Sequence, residues 1–293
     1  DETVDRPEAE QSGEDADGHE TEQADHYGAE CADAGAAEDT VYYAEEELPQ
    51  YGVAFSCLMG EWRILQLTNK ERVRNGLAPM STSVKLQEAC NIRKNEIITK
   101  FAHERPDGRH CQTALTDVGI SCNTSGENIA AGQTSSAEVV KAWMDSEGHR
   151  YNILYPEFTH MGAGYGRDTT SVYGSRYWVQ IFYGKCDTTG IALKDMGVLT
   201  VEEGTSIDEM DLVLEAYCRH GISFLPVIDE MCSGYRAKGS NGQVQTVTVN
   251  YRGKSTSFQV KTTAPSKPVQ PTQPVQPVQP TQPVQPTQPT RPV

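Results

Sequence analysis

The amino-acid sequence predicts an α+β fold followed by a small all-β unit, with a low-complexity tail on either side. Three observations carry this reading. Between residues 57 and 186, apolar side chains first recur at helical spacing and then alternate as in strands. Helices gathered ahead of a late antiparallel run describe layered α+β architecture rather than alternating βαβ units. From 191 to 263 the character changes, and residues 244–260 carry two alternating, β-branched runs. The expected boundaries are 1–52 for an acidic disordered tail, 55–187 for the α+β domain, 191–263 for the β unit and 264–293 for a proline-rich spacer.

Each element has its own cause. Residues 1–52 mix Asp, Glu, Ala, Gly and Gln with few large apolar groups, so they cannot bury enough surface to offset the entropy of ordering. Residues 58–75 read as a helix, with Leu58, Trp62, Leu65 and Val73 at helical spacing and Gly76 and Pro79 stopping it. A second helix runs from the capping Ser83 to about Phe101, with Val84, Leu86, Cys90 and Ile97 on its apolar positions. Pro106-Asp107-Gly108 is a turn. A third helix starts at Ser135, which stands at capping-box spacing from Glu138, and it turns Val139, Ala142 and Trp143 inward. Arg150 to Leu154 adds one more helical turn, and strands follow at 160–167 and 172–183. In the second of these, Tyr177, Val179, Ile181 and Tyr183 alternate with Trp178, Gln180 and Phe182. Further on, the runs within Val244–Val260 flank Arg252-Gly253-Lys254, the pattern of a β-hairpin. From Pro268 to Pro292 proline recurs at every third position, which is the period of polyproline II. At that rise the 25 residues span roughly 75–80 Å as a spacer.

Charge and cysteine content narrow the function classes. Of the net −16, residues 1–50 hold eighteen acids against one Arg, while the other 243 residues carry 23 acids and 24 bases. The folded part is therefore nearly neutral and offers no electrostatic case for nucleic acid. No stretch approaches the ~18–20 apolar residues of a membrane span. The sequence begins at Asp1 without a Met, so any secretion signal is expected to have been removed or left out. Eight cysteines without a CxxC pair favour disulfides over a metal ribbon or a redox motif. Cys111 with Cys122, and Cys218 with Cys232, suit short bridged loops; buried, unbridged thiols are the alternative. No GxSxG elbow, P-loop or GxGxxG fingerprint is present.

The segment MDSEGHRYNILYPEFTHMGAGY, residues 144–165, is the most informative. It sets His149 and His160 on either side of Ile153, Leu154 and Pro156, which places titratable groups between elements that must bury apolar faces. Together with Gly126-Glu127-Asn128-Ile129 upstream and Tyr177-Trp178-Val179-Gln180-Ile181-Phe182 downstream, it resembles the CAP superfamily. That group comprises cysteine-rich secretory proteins, venom allergens, plant pathogenesis-related proteins and bacterial SCP-like domains, the bacterial branch being nearest. The resemblance covers residues 57–186 and implies an α-β-α sandwich. The hairpin at 244–260 resembles the last two strands of a bacterial immunoglobulin-like domain.

CAP domains carry a cavity lined by two histidines and two acids. By resemblance, the first histidine falls on His103, the first acid on Glu127 and the second histidine on His160. The second acid of eukaryotic members falls on Ser146, three residues after Trp143, so His149 is expected to fill the gap, with Asp145 and Glu147 as further candidates. His103, Glu127 and His160 are expected to converge within roughly 4–8 Å. Imidazoles with one carboxylate suit Zn2+ or another borderline divalent cation, with His103 and His160 as ligands. Three readings stay open: the groups hydrogen-bond one another and fix packing, they hold a metal, or they activate water. Cys111 beside His110 makes a poor nucleophile pair, because chain neighbours rarely face each other productively.

These features describe a secreted protein, associated with the cell surface and expected to contact the cell wall. It binds a lipid, glycan or host-protein ligand rather than turning over a substrate. A metal-dependent, peptidase-like hydrolase using His103, His149 and His160 is the alternative, and a structural adhesin is the third reading.

Overall fold

The computed structural model describes residues 59–170, 175–184, 187–218, 221–240 and 242–264. The acidic segment 1–52 and the proline tract from Pro268 to Pro292 lie outside the described residues, as do residue 58 of the first predicted helix and residues 172–174 of the second predicted strand.

The first unit runs α1 (Met59–Arg74), α2 (Val84–Thr99), α3 (Thr113–Asp117), β1 (Thr124–Ala131), α4 (Ser136–Asp145), α5 (Glu147–Leu154), β2 (His160–Arg167) and β3 (Arg176–Gly184). The three strands form an antiparallel sheet in the order β1-β3-β2. Helices cover both faces. On one face Leu86, Cys90, Ile97 and Leu115 from α2 and α3 pack with Ile129, Val179 and Ile181. On the other Ile64, Leu65, Val139, Trp143 and Ile153 from α1, α4 and α5 pack with Trp178, Phe182 and Met161. Residues 177–183 of β3 are therefore buried on both sides, which is why its apolar run is continuous rather than alternating. The layers are α-β-α. The glycines of β2 let α2 lie directly on the strand: a Cβ on Gly162 would sit 2.7 Å from Cys90 Sγ, and one on Gly164 2.9 Å from the Cys90 carbonyl oxygen.

Helix starts follow the expected chemistry. Ser83 accepts from the Leu86 amide at 3.3 Å, and Ser135 accepts from the Glu138 amide at 3.2 Å. The return arm of the second cap departs from expectation, because Glu138 accepts from the Thr134 amide at 2.7 Å, one residue upstream of the cap. Arg72, 1% exposed, ties α1 to the α5–β2 connection by donating to the carbonyls of Ala78, Ile153, Tyr155 and Phe158.

The second unit holds two sheets. One has order β4-β6-β7, from Gly190–Leu193, Val213–Cys218 and Gly221–Pro226. The other has order β5-β10-β9-β8, from Val198–Glu202, Lys254–Thr263, Gln245–Tyr251 and Cys232–Ser233. Leu214, Ala216, Leu225, Val247, Val249, Phe258 and Val260 fill the space between them. The predicted hairpin is β9 and β10, with Tyr251 opposite Lys254. Its two-residue turn has φ of 46° at Arg252 and 73° at Gly253, so both central residues are left-handed, as in a primed turn that matches strand twist. Gly253→Ala should cost about 1 kcal/mol, because a Cβ is disfavoured in that region. A lower urea midpoint at unchanged m-value is the measurement, and an unshifted midpoint would show that the turn relaxes freely.

The units are stitched together by backbone. The Ser81 amide donates to Thr159 O at 3.1 Å, and Ser81 O accepts from the Met161 amide at 2.9 Å. Thr82 and Phe224 exchange two backbone bonds of 2.7 Å. Residues 81–82 thus join β2 to β7, and the first sheet continues into the second unit. Val213 and Phe224 lie in the core cluster of the first unit, while Val73 packs against that of the second. Among the described residues, no helix is long and apolar enough to cross a membrane.

The cysteines depart from the expected pairs. Cys111 and Cys232 form no disulfide, so neither the 111–122 nor the 218–232 bridge exists. Cys218 is disulfide-bonded.

Candidate functional site

The site is built around a carboxylate buried in the sheet. Glu127 lies on β1 opposite Ile181, on the face covered by α2, with its side chain 3% exposed. Arg93 reaches it from α2, at the position that shares a helical stripe with Leu86, Cys90 and Ile97. Its Nε donates to Glu127 Oε2 at 2.7 Å and its Nη2 to Oε1 at 3.0 Å, a two-pronged pair at a fully buried guanidinium. Arg93 also donates to Glu96 Oε2 at 2.7 Å and to Ala102 O at 2.9 Å.

His103 closes the carboxylate from the solvent side. Its Nδ1 lies 2.9 Å from Glu127 Oε1, and its side chain is 41% exposed, so the ring is the accessible edge of an otherwise buried cluster. Burial pushes the Glu127 carboxyl up, but the bonds from His103 and Arg93 outweigh it and hold the group below the usual carboxylate range.

The loop that carries His103 is held by a chain of alternating charges. Arg105 bonds Glu96 at 2.7 Å and Asp117 at 2.8 Å, so Glu96 is shared between Arg93 and Arg105. Arg109 pairs with Asp107 at 2.7 Å and Asp117 at 2.8 Å. Bonds from Arg109 and Arg105 keep the Asp117 carboxyl at about 2. A bridge between Glu104 and His110 folds the loop back on itself. That fold brings Cys111 beside His103 and Glu127, and one ligand atom from each of the three lies within 4.8 Å of the others. Burial, then the Glu127 carboxylate, pushes the Cys111 thiol up to about 12.

The other two predicted histidines are carried by different elements, His149 by α5 and His160 by β2. His160 pairs with Tyr183 on β3, and Tyr183 in turn with Ser125 on β1. The backbone of His160 is thus two strand spacings, roughly 10 Å, from β1, two residues along from the row of Glu127 and on the same face of the sheet. The ring stacks on Tyr183 with centroids 4.6 Å apart, and Nδ1 contacts Thr159 Oγ1 at 2.8 Å. It lines a separate small cavity between the units with Ser81, Ser223, Tyr251 and Arg252. His149 lies across the sheet. Its carbonyl accepts from Asn128 Nδ2 at 3.1 Å, and Asn128, the neighbour of Glu127, points to the opposite face. Asn128 joins Asn152, Gln180 and, through Gln180, Thr68 in a buried amide chain.

The structure therefore brings His103 and Glu127 together, while His149 belongs to α5 and His160 begins β2. Ser146 sits at the α4–α5 junction, Asp145 pairs with Lys141 at 2.5 Å on the surface, and Glu147 is exposed. Arg93 and Cys111 stand in the cluster beside Glu127. Arg93 has a sequence signal: a charge on the buried stripe of a helix needs a buried partner.

Residues 65–182 match the model of the CAP family, described as the cysteine-rich secretory protein family. The first unit is a CAP domain. Among its relatives is the uncharacterized protein YkwD of Bacillus subtilis strain 168, 42% identical over 127 residues, covering 43% of this chain and 47% of that protein. A second relative is the uncharacterized membrane protein YlbC of the same strain, 30% identical over 112 residues, covering 36% of this chain and 32% of that protein. The chain thus spans about half, or less, of the length of the relatives it matches. One similar solved structure is an extracellular protein containing a SCP domain from Bacillus anthracis strain Ames. It is 26% identical with a TM-score of 0.38, and the match covers 43% of this chain and 41% of that one.

Proposed function

We propose that this chain is an extracellular binding protein whose CAP domain meets its ligand at the edge of the His103–Glu127 cluster. The second unit, read as an immunoglobulin-like module, holds that domain in a fixed orientation at the cell surface. A lipid, a glycan and a protein are the ligand classes compatible with this role. Two facts support action outside the cell: the secretory description of the matched family and the disulfide at Cys218, a bond that persists in oxidising compartments.

One observation carries the choice of binding over hydrolysis. A general base needs an accessible lone pair and a pKa near working pH. Glu127 has both oxygens engaged by Arg93, one of them also by His103, and is held below the usual carboxylate range. It anchors the loop and the His103 ring. The experiment is digestion of a broad peptide library, with and without zinc, by the wild type and by His103→Ala. No cleavage dependent on His103 is expected. Cleavage by the wild type that disappears in the variant would replace this reading with a hydrolase.

A further inference from the structure

We propose that the solvent-facing stripe of α5 binds choline-type trimethylammonium groups carried on an extended surface polymer. The stripe is Glu147, Tyr151 and Tyr155, spaced one helical turn apart, with Glu157 two residues beyond. It belongs to the side of the sheet opposite α2, so its occupancy is independent of the His103–Glu127 edge.

The aromatic seat is built from the core outward. Phe158, 3% exposed, stacks on Phe182 with centroids 5.4 Å apart, and Tyr155 meets Phe158 edge-on at 4.9 Å. The Tyr155 carbonyl is held by Arg72 at 3.0 Å. Tyr151 comes last, its ring centroid 5.4 Å from that of Tyr155 with the planes tilted by 42°. Packing accounts for Tyr155 but leaves Tyr151 64% exposed. Both rings are thus braced from behind, and little freedom remains to be lost on binding. A cation seated over the pair lies within the ~6 Å range of both ring centroids.

Charge selects the occupant. Glu147 and Glu157 are exposed, and among the described residues neither carboxylate pairs with a cation. Arg150, the adjacent cation, is drawn back to the Met144 carbonyl at 2.7 Å. The patch therefore favours a cation over an anion. A trimethylammonium group gives up less on leaving water for a ring face than a primary ammonium, which is a compact and strongly hydrated charge. The source follows from the size of the patch. The other exposed large hydrophobic residues, Val84, Val198, Ile222 and Val244, lie on α2 or in the second unit. One tyrosine flanked by carboxylates is too narrow and too polar a surface to enter a bilayer. The group must then arrive on a chain that stands clear of packed headgroups.

The test uses the full chain with choline as the probe. On titration, backbone amide shifts should move at residues 147–157 and saturate. Ethanolamine, a primary ammonium, and the uncharged tert-butyl analogue of choline should each bind about threefold more weakly or worse. Tyr151→Ala, at an exposed position, should weaken choline binding about fivefold, and Tyr151→Phe should retain it. Glu147→Gln with Glu157→Gln should weaken it about twofold at low salt and less at high salt. A soluble dextran bearing phosphocholine groups should retain the chain and release it to free choline, whereas phosphatidylcholine vesicles should not retain it. Shifts confined to residues 1–50 would reveal ion pairing with the acidic segment alone, and that result, or unchanged affinity in Tyr151→Ala, would overturn the proposal. Capture by vesicles but not by the polymer would overturn it in favour of a lipid surface. Failure here leaves the His103–Glu127 binding role untouched, since that role rests on the peptide-library result.

Discussion

Arg93→Met is expected to destabilise the CAP domain by about 3–5 kcal/mol, the range for removing one partner of a buried pair. Arg93 is fully buried and Glu127 is 3% exposed, so the carboxylate left behind keeps His103 and the Cys111 thiol as partners but loses its cation. The carbonyl of Ala102 and one oxygen of Glu96 lose their donor as well. For a folded region of this size the melting temperature should fall by on the order of 10 °C. The pH dependence fixes the cause. In the wild type the folded pKa of Glu127 is depressed, so its contribution is present above the unfolded value of about 4.3 and is lost as pH falls below it. In the variant, burial is no longer offset by Arg93, and the folded pKa should rise above the unfolded one. The variant's deficit should therefore be largest near pH 7 and should shrink on acidification, as Glu127 takes up a proton and is buried neutral. Thermal melts at pH 7 and pH 4 make the comparison, and Glu127→Gln in the Arg93→Met background should recover part of the loss at pH 7. A deficit that stays constant across this range would show lost packing rather than an uncompensated charge.

The second large effect concerns the seam between the units. Phe224→Ala should cost about 3–5 kcal/mol, as for other large-to-small core truncations. Phe224 is 8% exposed and belongs to the core cluster of the CAP domain although it lies on β7 of the second unit. Its backbone also exchanges two bonds with Thr82. The wild type should therefore melt in a single calorimetric transition whose measured and van't Hoff enthalpies agree. The variant should separate into two transitions, the lower one belonging to whichever unit is less stable alone. Two peaks in the wild type, or one unsplit peak at an unchanged temperature in the variant, would mean that the seam carries little energy.

How much of this was legible from the sequence varied with the range of the interaction. The helices Met59–Arg74, Val84–Thr99 and Ser136–Asp145, the strands β2 and β3 and the β9–β10 hairpin follow from spacing, caps and turn residues, all of which act within a few positions. Strand β1 escaped a strand reading because TSGENIAA places Gly, Glu and Asn where β-branched residues usually stand. Those residues are there for the carboxylate pair and the buried amide chain. Helix α3 has five residues, too few for a periodic signal. Within the site, the motif match named His103, Glu127, His149 and His160, but it could not place them in rows. The order β1-β3-β2 and the alternation of faces decide which of them meet, and strand order is a long-range property. Cys111 was weighed only against its chain neighbour His110 and Cys122, because nothing local shows that the loop returns it to His103.

The position of β10 in its sheet bears on how this molecule responds to tension. The strand lies between β5, which it pairs in parallel, and β9, which it pairs antiparallel. A pull applied at residue 264 therefore acts along a strand gripped on both flanks. Its ladder bonds must break together in shear rather than one at a time, as they would for a strand peeled from an edge. Beyond β10 the load passes through the shared core of the two sheets to β7, then across residues 81–82 to β2. Because backbone bonds join the units, the CAP domain should keep its bearing under a steady pull until the second unit itself yields. Its lifetime under force is then set by the unfolding rate of that unit, not by the equilibrium stability of either one.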